Sequence, residues 1–134
     1  MPTYRLREAA ALLGVSDDTV RRWADGDRLP TSVDDAGRRV VDGAELAQFA
    51  EANAAPMPEM ASMHRESARN RFVGLVTKVT RDTVMAQVEL QCGPYRVVSL
   101  MSREAADDLG LEPGVTAVAA VKSTNVVIEV QKRV

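Results

Sequence analysis

The sequence is poor in the side chains that most often carry chemistry. It has one cysteine, Cys92, and one histidine, His64, in 134 residues. A lone thiol forms no disulfide within the chain, and thiol plus imidazole cannot complete a Cys/His zinc site in one protomer. Aromatic residues make up only 4% of the chain. No apolar run approaches the roughly 20 residues that span a bilayer, and no charged-then-apolar leader opens the sequence. There is no Ser-His-acid trio, no pair of catalytic carboxylates and no glycine-rich phosphate loop, so nothing supports an enzyme. These absences lead to the expectation of a cytoplasmic, non-enzymatic protein without a membrane partner, sized for one domain or two very small ones.

Charge of one sign is also missing. Lys and Arg number 17 against 19 Asp and Glu, a net charge of −2, which excludes a uniformly basic nucleic-acid coat but not a local basic face. The distribution is uneven. Residues 1–52 carry 7 basic and 10 acidic groups, residues 53–66 a net of −1, and residues 67–134 carry 9 basic and 7 acidic groups. The same boundaries separate two kinds of hydrophobic pattern.

The first segment, 1–52, reads helical. Arg7 to Leu13 is a run of helix formers stopped by Gly14, a natural left-handed terminus. Ser16 is placed to cap a second helix through Val20, Arg21, Arg22, Trp23 and Ala24, with Asp17 and Asp18 at its positive end. Thr31 to Val41, turning at Asp34-Asp35-Ala36-Gly37, predicts a small hairpin, and Asp42-Gly43-Ala44-Glu45 opens a third helix. Trp23, at helical spacing from Val20, is expected in the small core rather than on a base. Residues 53–66 have no usable period and read as a linker. Their Met57, Met60, Met63 and His64 offer thioethers and an imidazole of the kind that bind Cu(I), but the Pro-containing segment reads as a linker or interface stripe and no metal-cation site is expected.

From Phe72 onward the pattern alternates. Val73, Leu75 and Val79 are expected on one face, then Val84, Ala86, Val88 and Leu90, then Tyr95 and Val97, then Val115, Ala117, Ala119 and Val121, and last Val126, Ile128 and Val130. Turns are expected at Arg81-Asp82, at Cys92-Gly93-Pro94 and at Glu112-Pro113-Gly114, leaving Cys92 a passive thiol. Ser102 to Leu109 reads as a short helix capped by Ser102 and stopped at Gly110. The expected fold class is therefore α+β in two small domains. A winged helix-turn-helix precedes a five-stranded, OB-like Greek-key barrel with one helix after its third strand.

Two stretches carry family resemblance. Tyr4-Arg5-Leu6-Arg7-Glu8-Ala9-Ala10-Ala11-Leu12-Leu13-Gly14-Val15-Ser16, followed by Thr19-Val20-Arg21-Arg22-Trp23 and by Gly37-Arg38-Arg39, resembles the MerR/excisionase class of DNA-binding domains over residues 4–52. That resemblance implies double-stranded DNA as a partner, with Thr19, Arg21 and Arg22 at the groove or its phosphates and Arg38 and Arg39 on the wing. Arginine forks suit phosphates and guanine edges, whereas the many aspartates nearby oppose non-specific approach. A single copy would bind weakly, which favours dimeric or higher display.

Residues 66–131 resemble the molybdate-binding Mop domain, or molbindin, of the TOBE group. Ser67-Ala68-Arg69-Asn70 and Lys122-Ser123-Thr124-Asn125-Val126 carry the likeness, with Ser99 to Ala105 between them. The resemblance implies molybdate or tungstate as the ligand, held between protomers by Ser67, Ala68 (through its backbone), Arg69, Ser102, Lys122 and Ser123, with Asn70 ordering the entry loop. A tetrahedral oxyanion needs convergent donors and positive charge but no thiol or imidazole, and these residues supply them. Two positions depart from the family pattern. Met101-Ser102 stands where Ile-Thr is common, and Ala105 stands where a further serine is frequent. With one barrel per chain, a pocket between barrels implies a homo-oligomer. Together the two resemblances imply a molybdate- or tungstate-responsive transcriptional regulator. An oxyanion storage or homeostasis protein whose first domain serves assembly, and a DNA-binding regulator whose barrel binds no anion, are the alternatives.

Overall fold

Local capping signals set most helix ends in the computed structural model, which describes residues 2–56 and 67–131. The chain divides into two compact units, Met1–Pro56 and Met57–Val134. The methionines Met57, Met60 and Met63, together with His64, lie outside the described residues.

In the first unit, strand β1 (Thr3–Arg5) runs directly into helix α1 (Leu6–Leu13). The Arg5 backbone N–H donates to Glu8 Oε1 at 3.1 Å, which satisfies one amide at the helix start. Gly14 ends the helix at φ +70°, a conformation that costs glycine little. Helix α2 (Asp17–Asp25) starts at Ser16, whose Oγ accepts the Thr19 N–H at 3.2 Å. Strands β2 (Ser32–Val33) and β3 (Arg39–Asp42) form the expected hairpin, and β3 is the middle strand of a three-stranded antiparallel sheet, β1-β3-β2. Helix α3 (Gly43–Ala52) follows, capped by Asp42. Ala9, Ala10, Val20, Leu29, Val41 and Leu46 form the core, with Trp23 packed on it and 5.0 Å from Phe49, centroid to centroid. Trp23 is thus a packing residue, as its helical spacing suggested.

The second unit is built on one long strand, β4 (Asn70–Arg81), flanked by β5 (Met85–Cys92), β6 (Tyr95–Ser102) and β7 (Thr116–Val121). The four strands form one antiparallel sheet in the order β6-β5-β4-β7. The first half of β4 pairs with β7 (Asn70↔Val121 through Leu75↔Thr116), and from Leu75 onward β4 pairs with β5. Helix α4 (Arg103–Asp108) follows β6, with Ser102 Oγ accepting the Ala105 N–H at 3.1 Å. Arg81 holds this helix and the loop after it to the end of β4. Its Nε meets Asp107 at 3.0 Å, and its Nη2 reaches the Leu111 carbonyl at 2.9 Å and Glu112 at 3.0 Å.

Three expectations are corrected. Leu75 is 53% exposed and does not share the inner face with Val79. A bulge between Val76 and Lys78 inserts one residue, so Phe72 and Val76 point inward before it and Val79 after it. Cys92 is the last residue of β5 and is buried, not part of the turn. Finally, the described residues pair four strands in this unit, not five. After β7 comes a 3-10 turn at Ser123–Asn125, and Val126, Ile128 and Val130 make no ladder. Ile128 is 79% exposed and Val130 is 87% exposed. The two sheet edges, β6 and β7, therefore remain open to either side of an apolar cleft of about 510 Å³. Its lining includes Val88, Leu90, Val97, Met101, Ala117 and Ala119.

Candidate functional site

The residues expected at the oxyanion fall into two groups. Because Asn70 pairs with Val121 across β4 and β7, Ser67-Ala68-Arg69 precede one strand where Lys122-Ser123 follow the other. Asn70 Nδ2 donates to the Val121 carbonyl at 3.1 Å, which ties these two segments together. Ser67, Arg69, Lys122 and Ser123 are all exposed there, and Ala68 is half-buried. The group offers two cations, two hydroxyls and loop amides, a donor set suited to an oxyanion.

Ser102 lies elsewhere. It pairs with Met85, close to the Arg81 end of β4. Strand β4 is 12 residues long, so Ser102 and the Asn70 end are separated by about 36 Å of strand contour at the usual rise per residue. Among the described residues no strand pairing links Ser102 to the other five. The Ser102 hydroxyl already accepts the Ala105 N–H, which leaves its own proton to donate elsewhere. The Ala105 amide is thus spent on the helix cap.

In the first unit the residues expected at DNA also separate. Arg21, Arg38 and Arg39 line one open cleft of about 620 Å³ between α1, α2 and the β2–β3 hairpin. Thr19 and Arg22 are not among its lining residues. The Thr19 hydroxyl sits 2.8 Å from Ser16 Oγ in the α2 cap, and Arg22 Nη2 donates to that hydroxyl at 3.4 Å. Arg5 and Arg7, which the sequence reading did not single out, complete the cleft together with Asp17 and Asp25. The available signal was an Arg-x-Arg pair astride a helix start.

The hairpin turn is fixed by Asp34. Its carboxylate accepts the N–H groups of Arg38 at 2.8 Å and Ala36 at 2.9 Å, and Arg38 Nε pairs with it at 3.2 Å. These contacts, the Arg38 N–H foremost, hold the Asp34 carboxyl below the usual aspartate value. Asp82 is lowered in the same way by the Met85 and Val84 N–H groups in the β4–β5 turn. Burial pushes the Cys92 thiol up, so it stays protonated and inert. Among the described residues there is no cluster of three or more His, Cys, Asp or Glu side chains fit for a metal cation. No helix among them is long and apolar enough to cross a membrane.

Comparison with known proteins matches both units. The family model of the TOBE domain covers residues 66–128, and that of a helix-turn-helix domain covers residues 3–54. Molybdenum-pterin-binding protein 3 of Clostridium pasteurianum is 40% identical over 63 residues, 46% of this chain and 93% of that protein. Molybdenum-pterin-binding protein 2 of the same organism is 36% identical over the same shares of each chain. Among solved structures, MopII from Clostridium pasteurianum is 34% identical, with a TM-score of 0.46 over 49% of this chain and 100% of its own. A molybdate-binding protein from Sporomusa ovata is 30% identical, with a TM-score of 0.46 over 52% of this chain and 100% of its own. Through residues 66–128 the chain belongs to the TOBE-domain family that includes these molybdenum-pterin-binding proteins, and through residues 3–54 it carries a helix-turn-helix domain.

Proposed function

We propose that this chain is a molybdate- or tungstate-responsive DNA-binding regulator of the cytoplasm. In this reading the helix-turn-helix unit is of the winged, MerR/excisionase-like kind, and the TOBE unit binds the oxyanion between copies of the chain. The observation that carries the reading is the division of the donor set. Ser67, Ala68, Arg69, Lys122 and Ser123 gather at one end of β4, whereas Ser102 sits at the other. A second copy supplies the missing end. The names of the relatives, which bind molybdenum-pterin and molybdate, support the choice of ligand.

The open cleft supports the assembly. The apolar segment Val126 to Val130 follows β7 without joining the sheet, and among the described residues no strand pairs with the outer edges of β6 and β7, which flank an apolar cleft. Unpaired edges and exposed alternating apolar residues invite pairing with another chain. In the proposed assembly the segment of one copy enters the cleft of the next and completes its barrel. The Lys122-Ser123 turn, immediately before that segment, is then carried to the boundary between copies. Ligand bound at this boundary stabilises the assembly by mass action, and the assembly sets the spacing of the DNA-binding units.

A gel shift with and without molybdate, run beside metal analysis of dialysed protein, tests the reading. DNA affinity that changes with molybdate supports it. Retained molybdenum with no DNA affinity in either state replaces it with oxyanion storage. DNA binding with no molybdenum uptake at saturation removes the ligand.

A further inference from the structure

The first unit is acidic overall, yet its positive charge is concentrated in one place. Of its seven basic and ten acidic side chains, five arginines but only two aspartates line the cleft between α1, α2 and the β2–β3 hairpin. Elsewhere the unit has two arginines against eight carboxylates. Such segregation in a net-negative body focuses a positive potential on one concave surface.

The five arginines are not equivalent. Arg39 is braced, with Nη1 on Asp25 at 2.7 Å and Nε on Thr31 at 3.2 Å. Arg38 is held by Asp34 within the hairpin turn. Among the described residues, the guanidinium groups of Arg5, Arg7 and Arg21 make no ion pair or hydrogen bond, and all three residues are exposed. Free guanidinium forks in a concave, net-positive cleft suit the oxygens of a phosphodiester, which they can grip in pairs.

Resting on the DNA-binding reading above, we propose that Arg5 and Arg7 at the β1–α1 junction, with Arg21 across the cleft, form a backbone-phosphate seat for duplex DNA. Arg39 is a positioning residue that locks the hairpin against α2 through Asp25. The DNA-contacting face therefore extends past the second helix and the hairpin onto the start of α1. The seat clamps one strand without reading bases, so it sets register and affinity rather than sequence preference.

The test is fluorescence anisotropy of the full chain with a labelled 30-bp mixed-sequence duplex, titrated across a range of KCl concentrations. Removing one arginine from a phosphate flattens the slope of log K against log salt by about 0.9, so the Arg5→Ala/Arg7→Ala pair should flatten it by about 1.8. Arg5→Lys/Arg7→Lys should keep the wild-type slope because the charge remains. Arg28→Ala, remote from the cleft and bonded to Asn53, should also keep it. A wild-type slope unchanged in the double alanine variant overturns the seat alone. If wild-type protein binds no duplex at any salt concentration, the DNA-binding reading and the seat fail together.

Discussion

If the Val126–Val130 segment of one copy closes the barrel of another, its alternate residues must behave oppositely. Val126, Ile128 and Val130 are in one phase of a strand and enter the apolar cleft, whereas Val127 and Glu129 face away. Ile128 and Val130 are mostly exposed in the single chain, so their burial supplies most of the gain. At about 1.5–3 kcal/mol for each side chain, these two contribute about 3–6 kcal/mol per segment before ordering costs. Ile128→Asp removes roughly 2 kcal/mol of that gain and places a carboxylate against Val88, Leu90 and Val97, at a further cost of at least 2 kcal/mol. A loss of about 4 kcal/mol corresponds to roughly three decades in the association constant. Sedimentation velocity at micromolar concentration reads it directly. Wild type should sediment as an oligomer and Ile128→Asp as a monomer. Val127→Asp, one residue away and in the opposite phase, should sediment like wild type. Equal dissociation by both variants, or by neither, refutes strand exchange in this register.

Other consequences follow from single contacts. At Gly74 an added Cβ would lie 2.4 Å from the Gln91 carbonyl oxygen and 2.6 Å from Cys92 Sγ, with backbone on one side that cannot yield without moving β5. Gly74→Ala should therefore lower the urea stability of the TOBE unit by about 1–3 kcal/mol, and Cys92→Ala should recover only part of it because the carbonyl clash persists; full recovery contradicts this packing. The Asp34 carboxylate is held below its usual value, so the stability it lends is present above the unfolded-state value and is lost as pH falls through the lower folded one. The amide NMR shifts of Ala36 and Arg38 should accordingly titrate with a midpoint below 3.8, and a midpoint at that ordinary value removes the carboxylate as the anchor of the turn. Burial raises the Cys92 thiol, so the folded state keeps its proton when the unfolded state loses it. Stability should decline as pH rises above the unfolded thiol value, and Cys92→Ala should abolish that decline; an identical pH profile in the variant shows that the thiol does not contribute.

What could be read from the sequence was mainly local. Gly14, Ser16, Asp42, Ser102 and Gly110 mark helix boundaries through their own backbone or side-chain chemistry, and all five stand at or beside helix ends. Alternation found β5 because Ala86, Val88, Leu90 and Cys92 keep strict period two, whereas β7 is a nearly continuous apolar run with Val118 as buried as Ala117 and Ala119. It misplaced Leu75 because one inserted residue at the bulge reverses every side chain beyond it, and no residue type announces a bulge. Alternation also marked Val126 to Val130 as apolar on one face, but periodicity does not say which edge, or which chain, a strand joins. The candidate site shows the same limit. The segments holding Ser67 and Lys122 lie next to paired strand ends, whereas the position of Ser102 depends on where β6 ends. Arg5 and Arg7 carry no such local signal, because their cleft partners come from α2 and the hairpin through tertiary packing.

In the proposed assembly the oxyanion site exists only between copies of the chain. Equilibrium dialysis against molybdate, comparing wild type with Ile128→Asp and Lys122→Ala, tests it most directly. Wild type should retain molybdate, Lys122→Ala should remain oligomeric but bind it more weakly, and monomeric Ile128→Asp should retain none. Wild-type affinity in the Ile128→Asp monomer, with its own Ser67, Arg69, Lys122 and Ser123 intact, would contradict a site confined to the boundary between copies.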